Sequence, residues 1–118
     1  MKNQKGFSLI ELLIVVAIIL IIAAIAIPNL LQSRIQANQA SAAVSIRTIN
    51  SAEIIFASTY NIGYSSTLLN LGPGSTNPTA ATASLIDSVL AAGSKSGYNF
   101  TYTPAAAVNG RINQYGIS

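Results

Sequence analysis

A chain of 118 residues, 51% hydrophobic and only 8% charged, has room for one small domain. It carries far fewer charges than the quarter or so usual in soluble domains, which argues against an ordinary cytosolic protein. There is no Cys and no His, and the three carboxylates, Glu11, Glu53 and Asp87, are far apart in sequence. Disulfides and Ser–His or Cys–His nucleophiles are therefore excluded, and a metal centre nearly so. The chain reads as structural, not as an enzyme, with no cofactor. Its net charge of +3 includes Lys2 and Lys5; without them four scattered cations, Arg34, Arg47, Lys95 and Arg111, face three acids. A specific nucleic-acid face would need clustered Lys and Arg, so none is expected.

Residues 1–6 are polar and basic and end in Gly6. Phe7–Ile27 follows, with no polar residue from Leu12 to Ile27. As a helix this segment is about 31 Å long at about 1.5 Å per residue, the thickness of a hydrocarbon core of about 30 Å. The lysines ahead of it should stay on the cytoplasmic side. A secretory signal peptide would have a shorter apolar stretch, of about 7–15 residues. It would also gain nothing from Glu11, because a carboxylate near a bilayer centre costs about 2.5–3.5 kcal/mol or more.

Beyond Pro28 the pattern becomes amphipathic. Ile35, Ala42, Ile49 and Phe56 recur every seven residues, with Ile46 alongside, and no Gly or Pro interrupts residues 29–60. The spacing predicts one helix from the apolar segment to about Tyr60. Pro28 inside it removes a backbone donor and crowds the carbonyl of Ala24, so a kink is expected there. Residues 61–83 are rich in turn formers, with a third strand possible over 62–71. Ser84-Leu-Ile-Asp87 reads as a capping box opening a helix over 85–92 that Gly93 ends. Tyr98, Phe100 and Tyr102 alternate with polar residues, which predicts a half-buried strand facing the Ile35–Phe56 stripe. Asn109-Gly110 is a turn signal, and a second strand is expected over 111–117.

The expected fold is α+β: a long N-terminal helix, its membrane half and amphipathic half in series, packed against a small antiparallel sheet. The expected segments are a leader at 1–6, a membrane or filament-core helix at 7–27, its amphipathic continuation at 28–60 and a C-terminal head at 61–118.

Residues 6–31, from Gly6-Phe7-Ser-Leu-Ile-Glu11 through the unbroken apolar run to Pro28-Asn-Leu-Leu, closely resemble the N-terminus of bacterial type IV pilins and the related type II secretion pseudopilins. The resemblance implies cleavage between Gly6 and Phe7 by a prepilin peptidase, which also N-methylates Phe7. It implies a precursor held in inner-membrane lipid, then polymerised with its own copies into a helical surface filament by an assembly ATPase and a platform protein. Such filaments serve adhesion, twitching motility or DNA uptake. The family assigns Glu11 to assembly, where the amine of a neighbouring Phe7 would meet it. One departure is Leu20, which stands where relatives commonly carry Gly. The alternative is a pseudopilin of a type II secretion system; these usually bind calcium through acidic residues in the C-terminal loop, and residues 88–118 contain no Asp or Glu, which favours the pilin.

Overall fold

The computed structural model describes residues 6–74 and 77–118; the first five residues of the expected leader and two of the expected loop lie outside the described residues. The fold is α+β. One helix, α1 (Leu9–Tyr60), is followed by a single 3-10 turn (Leu68–Leu71), a one-turn helix α2 (Ser88–Ala91) and four short strands, β1 (Ser94–Lys95), β2 (Tyr98–Asn99), β3 (Tyr102–Pro104) and β4 (Tyr115–Ile117). The chain forms two compact units, Met1–Ala37 and Asn38–Ser118.

The helical segment of the first unit is exposed throughout, with only Ala23 partly covered. Leu9, Leu13, Leu20, Ile25, Leu30 and Leu31 all stand out in the open. An apolar helix that finds no core within its own chain must be covered by lipid or by other chains. Pro28 lies inside α1, and helix is assigned on both sides of it.

In the second unit α1 does what the heptad spacing predicts. Ala42, Ile49, Ala52 and Phe56 are buried against Leu68, Leu71, Ala83, Ile86, Leu90, Ala91 and Phe100. Ser45 can join this face because its hydroxyl donates to the carbonyl of Ser41 at 2.9 Å, which leaves no polar atom unpaired. The stripe is shorter than expected, however. Ile35 is 47% exposed; it belongs to the first unit and shares the exposure of Leu30 and Leu31.

The helix ends at Asn61, which takes φ 55°, a left-handed conformation that Asn tolerates better than most residues. Arg111 fastens that end, its guanidinium donating to the backbone carbonyl of Asn61 at 2.6 Å and to its Oδ1 at 2.8 Å. A cation at a helix C-terminus also suits the helix dipole. Gly63 follows at φ 87°. A Cβ there would come within 2.4 Å of the carbonyl oxygen of Ile112, so the turn after α1 requires glycine both for its φ and for this close approach.

Four expectations for the head need correction. Residues 62–71 form no third strand; Gly63 makes a single parallel bridge with Ile112, and Leu68–Leu71 is a 3-10 turn capped by Thr67. The capping box at Ser84 does not form. Ser84 has φ 55°, and Asp87 is itself the cap, accepting from the Leu90 N–H at 2.6 Å. The short helix is therefore Ser88–Ala91 rather than 85–92, and Gly93, at φ 86°, follows its end as expected. Hydrogen bonds from the Leu90 N–H and then from Lys95 hold the Asp87 carboxyl below its ordinary value.

The fourth correction concerns the strand expected over 98–103. It is two strands in two separate two-stranded antiparallel sheets, β1–β2 and β3–β4. Phe100 donates its N–H to Gly93 at 2.7 Å, whereas Thr101 exchanges bonds with Ser118, so the chain changes partner between these residues. Alternation reports which face a side chain takes, not which strand pairs with it. Accordingly Phe100 is buried and Tyr102 half-buried, while Tyr98 is 37% exposed. The expected turn at Asn109-Gly110 is present, with both residues at positive φ between the bridged Val108 and Arg111. That is the conformation of a two-residue hairpin turn.

Candidate processing and assembly site

The N-terminal site is built where α1 begins. Ser8 is the residue before the helix, and its Oγ accepts from the Glu11 N–H at 3.2 Å, while the Ser8 N–H donates to Glu11 Oε2 at 3.4 Å. This reciprocal pair is a capping box. The spacing Ser-x-x-Glu was visible in the sequence, and Ser8 is the site residue that sequence reasoning passed over. The carboxylate also lies in the first turn, where the helix dipole favours an anion. Gly6, Phe7 and Ser8 themselves are outside the helix.

Phe7 is 88% exposed. A Cβ built on Gly6 would meet nothing within 4 Å, and Gly6 is not among the glycines at positive φ. Nothing among the described residues therefore demands glycine at position 6. The site residues expected from the sequence lie near one another here: Gly6, Phe7 and Glu11 within the first helical turn and the residues before it. Pro28 lies far along the same helix.

In the second unit a buried network went unforeseen. Glu53 is 0% exposed. Its Oε2 accepts from the Ser65 N–H at 2.9 Å, and its other oxygen accepts a short hydrogen bond from Ser65 Oγ. Tyr102 then donates its hydroxyl to the Ser65 carbonyl at 2.7 Å. One carboxylate thus ties α1 to the loop after it, and one tyrosine ties that loop to β3. Tyr115 stacks on Tyr102 with ring centroids 5.6 Å apart and meets the edge of Tyr64 at 4.8 Å. The signal for Glu53 was its place one heptad after Ile46, on a stripe that is otherwise apolar.

Burial pushes the Tyr102 hydroxyl well above its ordinary value of 10.0. Tyr115 is raised as well, by burial and then by the Glu53 charge. A raised tyrosine favours the fold while it stays protonated. Its contribution is complete below the unfolded value near 10 and is lost as pH rises toward the folded value. The melting temperature of the full chain in detergent should therefore fall between pH 9.5 and 11.5, and Tyr102→Phe should show a smaller fall. Parallel pH profiles for the two proteins would show that Tyr102 is not the group involved.

The comparisons point to one family. A family model described as a prokaryotic N-terminal methylation motif matches residues 1–27. The type IV wide pilus major component of Thermus thermophilus is 68% identical over 38 residues, 32% of this chain and 29% of that protein. The N-terminal segment is thus similar to that of type IV pilins. The type IV major pilin protein of Myxococcus xanthus is 46% identical over 56 residues, 48% of this chain and 26% of that one. A fimbrial protein of Pseudomonas aeruginosa is 43% identical over 88 residues, 63% of this chain and 57% of that one. The matches thus span between about a quarter and just over half of these relatives' lengths. No solved structure matches this chain significantly.

Proposed function

We propose that this chain is the structural subunit of a type IV pilus, made as a prepilin, cleaved between Gly6 and Phe7, N-methylated at Phe7 and polymerised into a surface filament. The observation that carries the reading is an apolar helix exposed along its whole length, which lipid covers in the precursor and neighbouring copies cover in the filament. The precursor resides in the bacterial inner membrane, and the assembled pilus at the cell surface. Residues 1–6 act as the leader, 7–27 as the membrane and filament-core segment, 28–60 as its continuation and 61–118 as the head. The partners are other copies of the pilin, a prepilin peptidase, a platform protein and an assembly ATPase. Pro28 loosens the helix where the membrane segment gives way to the head-bearing part, since it deletes one hydrogen bond to Ala24.

The requirement for Gly6 comes from the peptidase. A backbone with no Cβ admits the closest approach at the scissile bond, and the described residues give no other reason for glycine there. Gly6→Val should therefore leave the fold untouched and abolish processing, with uncut precursor in the membrane and no filaments. Intact-mass measurement checks this directly; a mature chain beginning at Phe7 in the variant would refute the assignment.

A further inference from the structure

In the second unit most charges are satisfied within the chain; Arg47, which is exposed, is the exception among the described residues. Asp87 pairs with Lys95 at 3.2 Å, Arg111 is bound to Asn61, and Glu53 is buried on Ser65. In the first unit two opposite charges bracket the apolar run, Glu11 near its start and Arg34 just after its end. Both residues are exposed. Among the described residues the Glu11 carboxylate accepts the long bond from the Ser8 N–H, which leaves it acceptor capacity there.

Along the helix these two charges are about 35 Å apart at about 1.5 Å per residue, a little more than the hydrocarbon thickness of about 30 Å. This near-match has a consequence for assembly. Two parallel copies packed with no axial offset would set Glu11 against Glu11 and Arg34 against Arg34, and like charges repel in a low-dielectric setting. A copy raised by about 35 Å relative to its neighbour brings its Glu11 level with the neighbour's Arg34. In the membrane, that is the distance by which a subunit must rise for its carboxylate to clear the hydrocarbon.

We propose that Arg34 of a membrane-seated copy is the receiving counter-ion for Glu11 of the copy drawn out beside it, so that this ion pair fixes one helix-to-helix offset in the filament. The occupant of the exposed helix face is a second copy of the same chain, selected by charge complementarity. The inference rests on the pilus-subunit reading and adds to it. The Phe7 amine of one neighbour and Arg34 of another occupy different oxygens of the same carboxylate. Arg suits this role because its guanidinium stays charged, makes a strong charge-assisted bond to a carboxylate oxygen and is less strongly hydrated than an ammonium.

The chain has no Cys, so introduced cysteines report unambiguously. Val15, one turn after Glu11, and Ala37, one turn after Arg34, lie on the touching faces at this offset; both are exposed. Two full-length chains with different tags, one Val15→Cys and the other Ala37→Cys, are co-expressed in filament-assembling cells, and a short bismaleimide is added. The expected result is a mixed-tag dimer joined through 15 and 37. Its yield should drop at least severalfold when Arg34→Gln is present in all copies, and Arg34→Lys should recover part of it. Val15–Val15 dimers without any 15–37 product would overturn the offset while leaving self-association intact. No cross-linked dimer at any pair would overturn self-association as well. A 15–37 product insensitive to Arg34→Gln would overturn the role of Arg34.

Discussion

Replacing Phe56 with Ala should unfold most of the head. Phe56 is 1% exposed and packs beside Tyr60, with ring centroids 4.9 Å apart. It sits in the part of α1 that faces Leu68, Leu71, Leu90 and Phe100. Truncating a buried Phe to Ala costs about 3–5 kcal/mol, because the lost transfer energy is joined by the cavity left behind. Whole domains have only about 5–15 kcal/mol of net stability, and a head of short strands and one-turn helices belongs near the low end. At about 4–8 °C per kcal/mol for a domain of this size, the melting temperature should drop by more than about 10 °C. The full chain in detergent, followed by circular dichroism and by limited proteolysis, gives the measurement. The exposed apolar helix should keep its helicity while the head becomes protease-sensitive. An unchanged midpoint would mean that Phe56 lies outside the head's core.

How far the fold was legible follows from what each sequence signal measures. The heptad of Ala42, Ile49 and Phe56 predicted a buried helix face because α-helical periodicity is a property of the chain alone. The apolar run from Leu12 to Ile27 was equally readable, since hydropathy over a long window depends on no partner. Strand pairing was not readable. Tyr98, Phe100 and Tyr102 alternate as one strand would, yet the chain leaves Gly93 for Ser118 as partner between Phe100 and Thr101. That exchange depends on residues far away in sequence. The cap at Asp87 instead of Ser84 is a local competition: a carboxylate can cap as well as a hydroxyl, and Lys95, brought back by the β1–β2 hairpin, adds a second bond to it.

The candidate site divides in the same way. Gly6, Phe7, Glu11 and Pro28 form a linear motif, so spacing alone marked them. The Ser8–Glu11 capping box was present in the letters but was hidden behind the attention that Glu11 draws for its cost in lipid. Glu53 and Ser65 could not be paired from sequence, because only the left-handed Asn61 and the constrained Gly63 bring the loop back onto α1. With no cysteine to staple the head, this buried hydrogen-bonded link stands among the few long-range polar ties it has. Glu53→Ala should cost about 1–3 kcal/mol for the donors left buried on Ser65. Glu53→Gln should cost less, since an amide oxygen still accepts from the Ser65 N–H. Equal melting temperatures for the two variants would show that the link contributes little.

Glu11→Val should have the largest effect on assembly while sparing everything before it. Val is cheaper than a carboxylate in the apolar segment, by about 2.5–3.5 kcal/mol on insertion scales, so the variant precursor should insert at least as well as the parent. The proposed scissile bond between Gly6 and Phe7 lies outside the helix and about a helical turn before the substitution, so cleavage should still occur. Two things are lost: the capping partner of Ser8 and the negative charge. Glu11→Gln separates them, because its amide oxygen still accepts from the Ser8 N–H while the charge is gone. If assembly depends on the charge, both variants should be processed and both should yield filaments reduced by at least an order of magnitude, counted by electron microscopy and by sheared-pilin immunoblot. If only the helix start matters, Glu11→Gln should assemble like the parent and Glu11→Val should not. A carboxylate kept in an apolar segment must be compensated somewhere, and the cations proposed here for that role come from other copies: the Phe7 amine left by the proposed cleavage and the guanidinium of Arg34. Filaments at parental abundance from Glu11→Gln subunits would therefore remove the charge from the assembly mechanism and, with it, the reason for placing Arg34 beside it.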